Sequence, residues 1–94
     1  MIKIDTGKLA YYSQLDEKHF FNWANEIPCV VSVEGGVLHI DPADTEESNL
    51  RDLMALLFRY QLPMSKLSQL LNEKNKSWLL NENAYWYSKV FKSI

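Results

Sequence analysis

Cys29 is the one cysteine in the chain, so no disulfide can form within it. A small domain without disulfides leans on its apolar core and fits a reducing compartment. Three glycines and three prolines leave little room for disorder, and no glycine-rich phosphate loop is present. No apolar run approaches the roughly 20 residues of a membrane-spanning helix. The opening MIKIDTGK has neither an apolar signal core nor a small-residue cleavage site. One cysteine and two histidines supply no zinc-finger or HExxH spacing. The acidic run Asp41, Asp44, Glu46, Glu47 lacks the alternating carboxylates, central glycine and closing glutamate of an EF-hand loop. No GxSxG or paired-carboxylate pattern stands out. The expectation is a cytoplasmic, non-enzymatic protein with no cofactor, no metal and no catalytic residue.

What is present points to an α+β domain spanning residues 1–94. Its centre is the stretch LRDLMALLFRYQLPMSKLSQLL, residues 50–71. Leu50, Leu53, Met54, Leu57 and Phe58 repeat at helical spacing, and Leu56 and Tyr60 widen that face. Asp44 and Glu47 fit a capping box for this helix, with Thr45 as an alternative cap. Glu47 and Arg51 stand four apart in the favourable acid-first order. Pro63 predicts a break at Gln61-Leu62-Pro63 and can open a second helix. Met64, Leu67, Leu70 and Leu71 give that second helix its stripe.

The flanking segments predict the layer that covers this pair. Ile2 and Ile4 suggest a short strand, and Leu9, Tyr11 and Leu15 can share a face. Asp16 fits the cap of a helix running to Glu26, with Phe20, Trp23, Ala24 and Ile27 on its apolar stripe and Pro28 as its stop. Residues 29–41 read as a β-hairpin turning at Gly35-Gly36. That turn pairs Glu34 with Val37, Val33 with Leu38, Ser32 with His39 and Val31 with Ile40. Val31, Val33, Leu38 and Ile40 then form the apolar face, and Val30, Ser32, Glu34, Val37, His39 and Asp41 the wetter one. Cys29 shares the apolar face while His39 points away, which argues against a thiol–imidazole pair and for a small buried hydrophobe. Spacing alone does not place His19. Two strands are marginal, so a third strand from residues 2–15, or a partner chain, is expected, with three to four helices packed against the sheet.

Charge is unevenly distributed. Residues 1–49 hold three lysines and nine acids, a net −6, while residues 50–94 hold seven basic residues and three acids, a net +4. Their total is the formal charge of −2. Either the two sets mix on the folded surface, or a basic face meets nucleic acid, or an acidic face meets a basic partner.

FRYQLPMSKLSQLLNEKNKSW resembles the first part of a helix-turn-helix of the phage-repressor type. Ser68, Asn72 and Trp78 fall where that family places a small residue, a glycine and an aliphatic residue. Leu67 and Leu71 match its apolar positions. Glu73 and Asn81 depart from its core positions, and Trp78 is bulkier than the family's aliphatic. The resemblance implies a nucleic-acid-binding regulator over residues 50–83, with Asn75 among the base-reading residues and Lys74 and Lys76 on phosphate. A pI near 5.6 is a poor match to DNA.

The leading expectation rests on the C-terminal aromatics. Asn81 can cap a last helix from Glu82 to Lys92, and five aromatics fall between Trp78 and Phe91. Some would clamp that helix to the core; others would anchor a partner protein or a second copy as a homodimer. The expected contact residues are Trp78, Tyr85, Trp86, Tyr87 and Lys89, with His39 on the wet hairpin face. The implied role is an inhibitor- or immunity-like protein-binding module.

Overall fold

The computed structural model describes residues 1–7 and 11–92. The elements run β1 (Ile2–Asp5), α1 (Gln14–Glu26), β2 (Val30–Glu34), β3 (Val37–Ile40), α2 (Glu47–Arg59), a 3₁₀ helix (Ser65–Leu70), α3 (Lys76–Leu79) and α4 (Tyr87–Phe91). The three strands form one antiparallel sheet in the order β1-β3-β2, so the fold is a small α+β arrangement.

The hairpin turn has the left-handed geometry that two glycines allow, with φ of 59° at Gly35 and 76° at Gly36. Thr6 closes the corner: its backbone N–H and its hydroxyl both donate to the Gly36 carbonyl, at 2.7 and 2.6 Å. Ile2 opposes Ile40 and Ile4 opposes Leu38, so β1 adds its two isoleucines to the buried face. The hairpin register holds from Glu34–Val37 through Ser32–His39, then shifts, and Val30 rather than Val31 faces Ile40. The irregularity falls at Val31, and one residue of slip reverses which side chain points inward. Val30 is therefore buried and Val31 is 51% exposed, correcting the apolar face expected from strict alternation.

α1 starts earlier than expected. Ser13 is the N-cap, accepting a hydrogen bond from the Asp16 N–H, while the Asp16 carboxylate reaches back to the Tyr12 N–H at 3.1 Å. This is the reciprocal logic of a capping box, with Asp16 at the third helical position instead of the cap. Phe20, Ala24 and Ile27 are buried as the stripe requires, and Tyr11 packs against the core. Leu15 is 60% exposed and does not join them, and Leu9 lies outside the described residues.

α2 buries Leu50, Leu53, Met54, Leu56 and Leu57. At 3.6 residues per turn these positions cover an arc of about 160°. Phe58 falls about 40° beyond its edge and is 42% exposed, so it is not the core residue its spacing suggested. Asp44 does not cap the helix through the third residue. The buried Asn49 side chain donates to both Asp44 oxygens, and Glu46 occupies the cap position with no side-chain cap bond.

The break after α2 is a Schellman motif. Leu62 N–H donates to the Leu57 carbonyl at 2.8 Å and Gln61 N–H to the Phe58 carbonyl at 3.2 Å. Gln61 takes the left-handed position, φ 58°, where glycine is the usual residue. The second apolar stripe then departs from expectation. Met64, Leu67 and Leu70 are buried at a spacing of three, which eclipses them on one side of a 3₁₀ helix, and Leu71 lies off that row, exposed. All the buried apolar residues, from sheet, helices and C-terminal segment, belong to one cluster.

Gln61 generates a stability prediction. A non-glycine residue in the left-handed region costs about 1–2 kcal/mol, partly offset by the extra freedom glycine has when unfolded. Gln61→Gly is expected to stabilise by about 0.5–1 kcal/mol and Gln61→Val to destabilise by about 1–2 kcal/mol. Urea unfolding measures both, and the reverse order would show that the turn is not left-handed.

Candidate functional site

The C-terminal segment is positioned by a stripe on α2. Arg51 and Phe58, seven residues apart, lie on nearly the same side of that helix. The Arg51 guanidinium sits 4.7 Å from the ring centre of Trp78 and 5.2 Å from that of Trp86, and it also pairs with Glu47 at 2.7 Å. Phe58 meets Tyr85 edge to face at 4.8 Å. The chain reaches this stripe through the single turn α3 and a tight turn in which Asn81 accepts from the Asn83 and Ala84 N–H groups. The expected helix from Glu82 to Lys92 is thus shortened to Tyr87–Phe91.

This geometry sorts the expected contact residues. Trp86 is buried and its indole N–H donates to the Leu79 carbonyl at 2.9 Å, so it belongs to the core and not to a contact surface. Trp78 is half-buried beneath Arg51, and Tyr87 is half-buried against Phe91. Tyr85 remains 46% exposed. Lys89 is exposed with its ammonium 5.7 Å from the Phe58 ring, which places Phe58, Tyr85 and Lys89 together. Phe58 escapes a reading by spacing because it fits the core stripe. His39 is half-buried on the outer face of the sheet between Lys3 and Ser32, and no ring contact or hydrogen bond joins it to this surface.

The helix-turn-helix geometry does not form. The segment that would be its first helix is a 3₁₀ turn, and the segment that would read bases contains only the four-residue α3. Asn75 is 2% exposed, and its side chain bonds the Leu70 carbonyl and the Asn72 N–H, both at 2.8 Å. Its amide is engaged inside the fold and does not reach outward to a base. Lys74 is exposed, and Lys76 is paired with Glu73 at 2.6 Å.

A concavity of about 850 Å³ lies where α1, the end of β1 and the turn after α2 meet. Asp16, His19 and Trp23 line it from α1, spaced 3 and 4 apart, and Tyr12 lines it from just before the helix. Asp5 enters from β1, and Arg59, Tyr60 and Gln61 from the α2 turn. The Tyr60 hydroxyl donates to Asp16 at 3.2 Å. Burial, then the Asp16 charge, push the Tyr60 hydroxyl above its ordinary range, which keeps it a donor. Residue spacing read Asp16 as a cap and Trp23 as core and did not place His19; their meeting with Arg59 and Tyr60 depends on tertiary packing.

Among the described residues, no group of three histidine, cysteine or acidic side chains is arranged to hold a metal ion, and no helix is long and apolar enough to cross a membrane. Compared with known proteins, the chain matches no family model, no curated protein and no solved structure.

Cys29 is fully buried, and burial, reinforced by the Asp44 charge, pushes its thiol up to about 11. The folded protein is expected to resist iodoacetamide at pH 8 and to react once unfolded in urea. Because the folded value is raised, the associated stability is fully present below pH 9 and is lost as pH rises toward 11. Unfolding titrations should show a smaller alkaline loss in Cys29→Ala than in the parent.

Proposed function

We propose that the chain is a non-enzymatic, cytoplasmic protein-binding module of the inhibitor or immunity type, acting through the Phe58, Tyr85 and Lys89 surface. The observation that carries this reading is the exposure of Phe58 and Tyr85, whose rings pack on each other and still leave 42% and 46% of each residue open. Large aromatic side chains fixed by their neighbours lose little freedom on binding and are favoured anchors at interfaces. A shallow hollow lies beside them, lined by Leu57, Phe58, Gln61, Leu62 and Lys89. It suits an inserted apolar side chain.

Charge defines the partner. Among the described residues, neither Lys89 nor Lys92 has a carboxylate partner. A partner that presents an apolar projection ringed by carboxylates complements this surface. A second copy is the competing occupant, because its residues 1–49 carry the −6 charge.

Site-specific photo-crosslinking tests the proposal, with the cross-linker at position 85, a control at the exposed Gln69, and lysate of the native host. The expected product forms from position 85 only, disappears with Phe58→Ser, and weakens more than tenfold with Lys89→Glu. If the adduct is the chain itself, sedimentation of the purified protein should show a dimer. A monomer at all concentrations, with no adduct from position 85 above the Gln69 control, would overturn the reading.

A further inference from the structure

Charges of both signs line the cleft between α1 and the α2 turn without pairing to one another. Asp5, Asp16 and Arg59 all face it, yet the ion pairs among the described residues are Arg51–Glu47 and Lys76–Glu73. The Asp16 carboxylate takes the Tyr12 N–H on one oxygen and the Tyr60 hydroxyl on the other. A carboxylate has about four acceptor positions, so roughly two remain for a ligand. Asp5 uses one oxygen on the Gly7 N–H at 2.7 Å, and its other oxygen has no partner among the described residues. Arg59 stands exposed in the last turn of α2, and among the described residues its donor fork has no ion-pair partner. His19 is exposed on α1.

The walls are aromatic and held in place. Tyr60 packs edge-on against Phe20 at 4.8 Å and against Trp23 at 6.5 Å, and its hydroxyl is fixed by Asp16. An oriented carboxylate beside such ring faces favours an organic ammonium, through a charge-assisted hydrogen bond and attraction to the ring. A guanidinium on the same cleft favours a planar carboxylate. A ligand carrying one charge alone would meet repulsion from the opposite group. The cleft volume of about 850 Å³ lies in the range of small-molecule sites.

We propose that this cleft binds a small zwitterion of the α-amino-acid class with an aromatic side chain. Its ammonium sits on Asp16 and Asp5, its carboxylate on Arg59 with His19 as a second donor, and its side chain lies against Trp23 and Tyr60. The same chemistry occurs in a free amino acid and in a short peptide. The proposal stands independently of the Phe58–Tyr85 surface, whose anchors it does not use.

NMR titration of the ¹⁵N-labelled chain is the test, with phenylalanine, phenylalaninamide, N-acetylphenylalanine and a phenylalanine dipeptide as probes. Phenylalanine or the dipeptide should shift the Trp23 indole and Tyr60 amide signals in a saturable way. The tighter of the two identifies the source. The amide and the N-acetyl form should each bind at least tenfold more weakly than phenylalanine. Arg59→Gln should weaken phenylalanine at least tenfold and leave phenylalaninamide unweakened or tighter, a charge-specific split that simple loss of structure cannot produce. No saturable shift at Trp23 with any probe, equal binding of all four, or equal loss of all four in Arg59→Gln would overturn the proposal.

Discussion

A helix buried over about 160° of its circumference cannot be covered by one layer, and α2 is such a helix. In a chain of 94 residues there is material for one core. Each fully buried leucine contributes about 1.5–3 kcal/mol over its exposed state, so the five apolar residues of α2 outweigh any surface ion pair in the molecule. The sheet and α1 supply apolar residues to the same cluster, as do the 3₁₀ helix and the C-terminal segment. The fold is the wrapping of α2 by the segments on either side of it in the chain.

Wrapping requires the chain to reverse sharply after α2, and the Schellman turn at Gln61 does this. That turn also shapes the surface. Gln61 and Leu62 line both the aromatic hollow and the charged cleft, so one backbone reversal forms a shared wall between the two concavities. The Phe58–Tyr85 surface comes from the same geometry. Arg51 and Phe58 lie just past the edge of the buried arc, where the C-terminal aromatics can reach them without being sealed from water.

Polar groups inside the fold are organised around asparagine. Asn75 satisfies the Leu70 carbonyl and the Asn72 N–H at the end of the 3₁₀ helix, and Asn72 reaches Thr45 across to the start of α2. Leaving such a buried group unsatisfied costs about 1–3 kcal/mol, which explains why side chains with base-reading chemistry are directed inward here. Cys29 obeys the same constraint of the interior: it packs as a small apolar group, and burial pushes its thiol up.

The hairpin at Gly35-Gly36, the β1 isoleucines, the α1 and α2 stripes and the break before Pro63 were all legible from residue spacing, because local periodicity and backbone sterics act within a few residues. Three features needed the tertiary structure. Val30 replaces Val31 in the core because the pairing of β2 with β3 shifts at Val31, an irregularity that strict alternation does not contain. Trp86 is interior and Phe58 is surface because the Arg51 stripe, and not the count of aromatics, decides where the C-terminal segment lies. The cleft exists because Asp5, Asp16 and Arg59, up to 54 residues apart in the chain, meet at one end of the fold. Spacing within a helix fixes which side chains share a face; which face meets which is a property of the packed core alone.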